Sequence, residues 1–475
     1  MIYKTLLSAL TLVMFTLCNA VEAEDRPNIL LISIDDLNDW VGCLGGHPQA
    51  KTPNIDRLAK RGTLFTNAHC QSPVCNPSRA SMMTGRYPHS TGIYFLSPDL
   101  SKAPVLAGVQ TMPQSFEKHG YQTLAVGKIF HGRNRRFFQE YGGNNGGFGP
   151  RPQKKMSQPH GHPLWDWGAF PEDDNQMPDW KAAQWAKQKL KQTFEKPFFM
   201  GVGFYRPHVP MYAPKKWFDM HPINSIKLPL VKDNDRADLS SYAIDLTNLK
   251  HVSPTHEWVS SAGQWEHAVQ SYLASVSFAD DCVGQVLDAL DASPYAQNTI
   301  IVLFSDHGFH LGEKQRWAKR TLWEDGTRVP LIISAPGFKS GQKSGGPAEL
   351  LDVFPTLLEL AGLPADSAQE GQSLVPLMKN PNAQWNHPAI TSFGPGNYSV
   401  RSTRYRFIQY RDGSRELYDH ASDPHEWTNV VSMPEHKETI AQHAAFLPKK
   451  EHALLPGNST GHKAFAASNE RAQIK

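Results

Sequence analysis

Unbroken apolar runs alternate along this chain with stretches whose apolar positions recur at helical spacing. Asn28 to Ile34 is apolar at nearly every position and gives way abruptly to Asp35-Asp36. That is the pattern of a strand buried on both faces, delivering carboxylates at its C-terminal end. Thr299 to Ser305 has the same form and runs into Asp306-His307, Thr123 to Val126 precedes Gly127-Lys128, and Phe198 to Phe204 lies just ahead of His208. Between these runs, Asn54 to Arg61, Met112 to His119, Lys181 to Phe194 and Trp265 to Leu290 read as helices. Strands alternating with helices predict an α/β architecture with a mostly parallel sheet flanked by helices. Ligands in such folds bind beyond the carboxyl ends of the strands, so the four polar strand ends are expected to meet at one place.

Leu331 to Ser334 and a helix from Val353 to Leu360, stopped at Ala361-Gly362, complete this first unit, expected over residues 24–380. From Pro388 the pattern changes to short strands, Ala389 to Phe393, Tyr398 to Arg401, Tyr405 to Tyr410 and Glu416 to Tyr418, parted by turn residues such as Asp412-Gly413. With a helix from Pro434 to Phe446 they predict a smaller C-terminal α+β subdomain over 381–450, built on a short antiparallel sheet. Residues 451–475 read as a loosely attached polar tail. Arg133 to Trp180 is long, aperiodic and rich in Gly, Pro, Asn and Trp, which marks a binding loop or an irregular surface segment. Between residues 133 and 155, six cations (Arg133, Arg135, Arg136, Arg151, Lys154, Lys155) face one acid, Glu140, and Trp165 and Trp167 follow. Two readings stand: a basic, aromatic surface for a sulfated carbohydrate, or a solvated loop whose Trp side chains plug the core.

The 475 residues exceed what one hydrophobic core usually serves, and a formal net charge of +3 gives no reason to expect nucleic acid. Residues 1–23 combine Lys4, an apolar run from Leu6 to Leu17 and small residues at Ala20 and Ala23, the form of a cleaved secretory signal. The run is shorter than the ~20 residues a membrane span needs, and bulky Leu17 before Cys18 argues against lipid attachment. The expected location is exported, periplasmic or secreted, with no membrane association after signal removal. Cys43, Cys70, Cys75 and Cys282 remain, too few for a disulfide framework and consistent with at most one bridge. Cys282, within a helical pattern, suits a buried thiol.

Asp35 and Asp36 alone are a common strand ending. With Asp306 closing a similar strand, three carboxylates converge, and their repulsion calls for a cation. Oxygen donors favour Ca²⁺ or Mg²⁺ over a transition metal, although a nitrogen donor at His307 is soft for such a cation.

Cys75-Asn76-Pro77-Ser78-Arg79, continuing through Ala80 to Thr84-Gly85-Arg86, resembles the maturation signature of the type I sulfatases. The resemblance extends from Pro27 to about Asn429. It is greatest to the iduronate-2-sulfatase-like branch, through Val126-Gly127-Lys128-Ile129-Phe130-His131, Tyr205-Arg206-Pro207-His208-Val209-Pro210, Ser305-Asp306-His307-Gly308 and Trp317-Ala318-Lys319. It implies an alkaline-phosphatase-like fold, one bound calcium on Asp35, Asp36, Asp306 and His307 with the modified Cys75 beside it, and conversion of Cys75 to formylglycine by a separate sulfatase-maturing enzyme. It further implies that Arg79 holds the hydrated aldehyde, that Lys128 and Lys319 clamp sulfate oxygens, and that His208 and His131 act as general acid and base. The implied substrate is a sulfated polysaccharide or oligosaccharide, a 2-O-sulfated uronic acid among the candidates. The branch's sugar-contacting loops are not matched closely here, and Arg206, Phe309 and His310 are candidate sugar contacts only by their position beside site residues. Two alternatives share these residues: a phosphonate monoester or phosphodiester hydrolase, and a non-catalytic glycan-binding protein in which Cys75 stays a thiol.

Overall fold

In the computed structural model the described residues are 26–459, apart from 133, 158–163 and 249–251, together with 461, 462 and 465. The signal segment, Arg133 and most of the last residues lie outside them. The centre of the molecule is an eight-stranded sheet. Its strands are β1 (Asn28–Ile34), β2 (Thr63–Phe65), β3 (Gln122–Gly127), β4 (Glu140–Tyr141), β5 (Phe198–Phe204), β6 (Thr299–Ser305), β7 (Leu331–Ser334) and β8 (Gln342–Ser344), in spatial order β8-β2-β7-β6-β1-β5-β3-β4. Only β7 runs antiparallel to its neighbours. The four strands expected from the apolar runs are the four adjacent central ones. The short strands β2, β4 and β8 carry too few residues for any alternation to show in sequence.

The long strands are buried on both faces, which is why they read as continuous apolar runs. Successive residues feed opposite cores. Leu30, Ile32, Val202 and Leu303 pack on one side with α1 (Pro53–Arg61), α4 (Pro178–Leu190) and α5 (Trp265–Asp291). Ile29, Leu31, Phe199 and Val302 pack on the other with α2 (Cys75–Thr84), α3 (Met112–Lys118) and α6 (Val353–Leu360). Helix α4 begins at Pro178 rather than Lys181, because Pro at the first turn suits a helix start, and it ends at Leu190 so that Phe194 can turn onto Phe198 and Tyr295. No helix among the described residues is long and apolar enough to cross a membrane.

Four antiparallel strands, β9 (Ala389–Ser392), β10 (Tyr398–Arg401), β11 (Tyr405–Gln409) and β12 (Arg415–Asp419), form the second sheet, as the turn-punctuated pattern predicts. It is fastened to the main unit by a buried ion network. Arg406 spans Glu324 and Glu426, with Nε 2.6 Å from Glu426, and donates 3.0 Å to the Leu322 carbonyl, while Trp323 donates 2.8 Å to Glu416.

One expectation changes and one open choice is decided. The described part of the tail is docked: Leu455 and Phe465 are buried, and the backbone N–H groups of His452 and Leu455 bond the carbonyls of His89 and Gly92 at 2.6 and 3.1 Å. Leu455 packs with Ile93 and Leu106, and Phe465 packs against Phe95. Trp165 and Trp167 are core plugs, 1% and 2% exposed, and their indole N–H groups donate to the Val252 carbonyl at 2.7 Å and Gln264 at 3.1 Å. They offer no stacking face to a sugar. The four cysteines from Cys43 onward are all unbridged thiols.

Gly127, the last residue of β3, has φ +73°, and a Cβ there would lie 1.9 Å from the Gly203 carbonyl oxygen. Gly127→Ala should cost roughly 2 kcal/mol or more through strain at positive φ and this clash. A urea midpoint equal to that of the parent chain would contradict this account of the turn into Lys128.

Candidate active site

Register puts the strand ends at one level. Ile34 pairs with Ser305 on one side and Phe204 on the other, so Asp35, Asp306 and Tyr205 leave the sheet side by side. Gly127 pairs with Gly203, which brings Lys128 out one strand further along. Cys75 enters from the opposite direction as the first residue of α2, after an extended Val74. Ser78 Oγ donates to the Asp306 carbonyl at 2.5 Å, fixing that first turn against the end of β6.

Here every sequence-expected metal and anion residue meets. Donor atoms of Asp35, Cys75, Asp306 and His307 lie within 4.8 Å of one another, as do those of Asp35, Asp36, Cys75 and His208. Cys75 Sγ is 3.3 Å from His307 Nε2 and accepts from Lys319 Nζ at 3.1 Å. Lys319 also donates to Asp36 Oδ1 at 2.5 Å, and Lys128 pairs with Asp35. His307 places Nδ1 3.0 Å from the Gly308 carbonyl, and His208 places its own 2.6 Å from that of Val209. A carbonyl can only accept, so both Nδ1 atoms carry the proton and both Nε2 atoms face the cluster. His208 Nε2 is 3.7 Å from Asp36 Oδ2.

Arg79 lies at the base of the cluster, where its charge interacts with Cys75 as well as with Asp306 and Asp35. It is 1% exposed, and its guanidinium is consumed by Asp306 at 2.8 Å, Asp35 at 3.3 Å, Ser33 Oγ at 2.9 Å and the carbonyls of Lys128 and Ile129 at 2.7 and 3.0 Å. It ties three strand ends together from beneath the cluster. Arg206, Phe309 and His310 are each 0% exposed and do not reach a surface where a sugar could lie. Arg206 instead bonds the carbonyls of Tyr212, His208 and Phe148 at 2.8, 3.2 and 2.7 Å. Phe309 stacks on Tyr272, and His310 bonds Thr321 at 2.7 Å.

Burial raises the energy of every charge in this cluster, and the opposite charges decide the outcome. Burial would lift the Cys75 thiol, but Lys128, Lys319, His307 and the bond from His131 hold it well below the ordinary thiol range. Burial opposes ionisation of Asp35 too, but Lys128, His208 and Arg79 together hold its carboxyl well below the usual range. Asp306 is pushed up to about 6 by burial despite Arg79, and His307, which burial would lower, is raised to about 9 by Asp306, Cys75 and Asp36 together.

The donor set fits a hard divalent cation. Three buried carboxylates converge, and Asp36 Oδ2 is buried without a hydrogen-bond partner. An unpaired buried carboxylate oxygen is costly unless something cationic meets it. Asp36, Ala318 and Arg320 hold φ of 62°, 71° and 75°, and such non-glycine strain of ~1–3 kcal/mol each collects where side chains must be aimed.

Several positioning residues had no signal in the sequence. Asp179 on α4 accepts the backbone N–H groups of Tyr205 and Arg206, both at 2.8 Å, and so shapes the loop bearing His208. Tyr272 on α5 donates 2.8 Å to the Asp36 carbonyl, and Ser305 accepts from Leu37 N–H at 2.9 Å. These partners lie tens to hundreds of positions apart, so no local spacing reveals them. Beside the cluster opens a cleft of about 930 Å³ lined by Lys128, His131, Arg135, Arg136, Phe148 and Tyr205. Arg136 pairs with Asp99, which leaves it tethered at the rim.

A mostly parallel sheet carrying convergent carboxylates, two lysines and two histidines around a helix-terminal cysteine is an arrangement suited to a hydrolase acting on an anion. Comparison with known proteins makes the class specific. The family described as Sulfatase matches residues 27–363, and the one described as N-sulphoglucosamine sulphohydrolase, C-terminal, matches 312–452. A protein named Sulfatase from Formosa agariphila is 42% identical over 441 residues, covering 90% of this chain and 87% of that protein. The Iduronate 2-sulfatase of Mus musculus is 30% identical, covering 91% and 96%. A solved 2-O GAG sulfatase superposes with a TM-score of 0.71 at 23% identity, over 95% of this chain and 94% of that one. The chain belongs to the sulfatase family, and its fold is alkaline-phosphatase-like.

Arg79→Lys keeps a charge but cannot reach Ser33, two carboxylates and two carbonyls at once. It should lower stability by about 2 kcal/mol, read from urea unfolding, and an unchanged midpoint would show that the fork is dispensable.

Proposed function

We propose that this chain is an exported sulfatase that hydrolyses sulfate esters of a sulfated glycan, a 2-O-sulfated uronic acid being the leading candidate. The observation that carries the reading is Cys75 at the start of α2, in contact with both His307 and Lys319 and next to three carboxylates. The names of the mouse and the 2-O GAG relatives support the choice of sugar, and the cationic cleft beside Lys128 supports an anionic glycan.

In this reading Cys75 is oxidised to formylglycine by a maturing enzyme, and the hydrated aldehyde supplies both the attacking oxygen and a second hydroxyl. Ca²⁺ would be held by Asp35, Asp36, Asp306 and His307, and when bound it polarises the sulfate as a Lewis acid. Lys128 and Lys319 hold sulfate oxygens through the charge that develops on them. Arg79 keeps Asp35 and Asp306 ionised and aimed, a supporting part in place of direct contact with the nucleophile. His208, oriented by its bond to Val209, gives the Nε2 proton to the leaving sugar oxygen. His131 takes the proton of the second hydroxyl, which releases sulfate and restores the aldehyde.

Cys75→Ala should remove at least ~1000-fold of kcat/KM. His208→Gln should slow a sugar sulfate by roughly 100-fold or more, yet a nitrophenyl sulfate far less, because a good leaving group needs no acid. Equal losses on both substrates would remove His208 from that role. Mass spectrometry of the Cys75 peptide should find CHO in place of CH₂SH after co-expression with a maturing enzyme. An intact thiol together with no turnover would favour the binding protein. A preference for bis-nitrophenyl phosphate over nitrophenyl sulfate would favour the phosphodiesterase.

Removing divalent metal with a chelator should abolish turnover and lower the Tm. Both should return with Ca²⁺ in preference to Mg²⁺, and activity unaffected by chelation would contradict the metal assignment.

A further inference from the structure

Buried guanidinium groups elsewhere in this protein are matched to acceptors. Arg79 forks between two carboxylates, Arg206 among three carbonyls and Arg406 between Glu324 and Glu426. Arg316 and Arg320 break the pattern. They are 4% and 6% exposed, yet Nε and Nη2 of Arg316 and Nε and Nη1 of Arg320 are buried and meet no acceptor among the described residues. A guanidinium cannot shed its charge, and an uncompensated buried charge costs several kcal/mol. Two such groups four positions apart are a standing demand for an anion.

Their position says where that anion comes from. They flank Lys319, whose Nζ is 3.1 Å from Cys75 Sγ. Arg320 holds φ 75°, and its backbone N–H bonds the Pro73 carbonyl at 3.2 Å, two residues ahead of Cys75. Arg236, anchored by a 2.5 Å bond to Gln315, adds a third cation on the Arg316 side. Burial lowers Arg316 to about 9, with Arg236 and Arg320 adding to the effect, and lowers Arg320 to about 10 although Cys75 and Asp36 pull the other way.

We propose that Arg316 and Arg320 form a second oxyanion subsite, distinct from the sulfate clamp of Lys128 and Lys319, which takes a carboxylate or a further sulfate carried by the same substrate. The inference rests on the sulfatase reading only for the identity of the ligand's other end. A planar guanidinium pair suits either oxyanion through parallel N–H donors. The enzyme would then select glycans bearing two anionic groups over simple monoanionic esters.

The test uses three ligands and the full chain carrying Cys75→Ala, so that binding is read without turnover. They are a 2-O-sulfated uronate disaccharide, its carboxyl-reduced counterpart, and the same disaccharide with one more sulfate on the neighbouring sugar. Calorimetric titration should show either a roughly 10-fold or greater loss on carboxyl reduction or a comparable gain with the added sulfate, which also tells the two sources apart. R316Q and R320Q should erase that difference, and R316K should restore part of it. Equal affinity for all three ligands, no binding to any, or a difference that survives both Gln substitutions would overturn the subsite. If the Gln variants fail to fold, R316K and R320K take their place, and a difference left at full size in both would likewise overturn the subsite. Turnover of nitrophenyl sulfate by the matured enzyme is scored separately: its absence alongside ligand discrimination would remove the catalytic reading and leave the subsite standing.

Discussion

Like charges forced together at the carboxyl ends of parallel strands are the constraint around which this molecule is organised. Asp35, Asp36 and Asp306 are all 0% exposed and point at one another because adjacent strands end in register. Such an arrangement is tolerable only with buried cations at hand, and Arg79, Lys128 and Lys319 each reach it from a different part of the chain. The same field that stabilises the carboxylates draws the Cys75 thiol well below its ordinary range. The centre is therefore one electrostatic unit, in which the thiol, the lysines and the carboxylates are not separable features.

Holding that unit in place occupies much of the surrounding structure. Asp179 and Arg206 fasten both ends of the His208 loop, one through backbone N–H groups and the other through carbonyls. Tyr272 and Ser305 fix the strained turn at Asp36. The C-terminal sheet takes part as well. By gripping Leu322, Trp323 and Glu324 through Arg406 and Glu416, it braces the segment that carries Arg316, Lys319 and Arg320 toward Cys75. A subdomain that contributes no residue to the cluster thus controls how firmly one of its lysines is aimed.

Much of this was legible in the sequence. Two-sided burial writes a strand as a continuous apolar run, so the four central strands and their polar ends could be found from composition alone. A parallel sheet then required those ends to lie together. The cluster residues from Asp35 to Lys319 came from that logic and from the resemblance around Cys75. The short strands β2, β4 and β8 were invisible because two or three residues show no periodicity.

What the sequence by itself determined, then, is the sheet, the set of groups gathered at its edge and the class of chemistry they suit. Tertiary structure alone decided what each group is free to do. Arg79, Arg206 and His310 look alike as polar residues beside a site, yet packing spends the donors of the two arginines on internal acceptors and seals His310 in the core. Trp165 and Trp167 could have been a sugar platform or core, and the long loop folds them inward. Arg316 and Arg320 carried no signal at all, since an unmet charge is defined by missing neighbours, and neighbours exist only once the chain has folded.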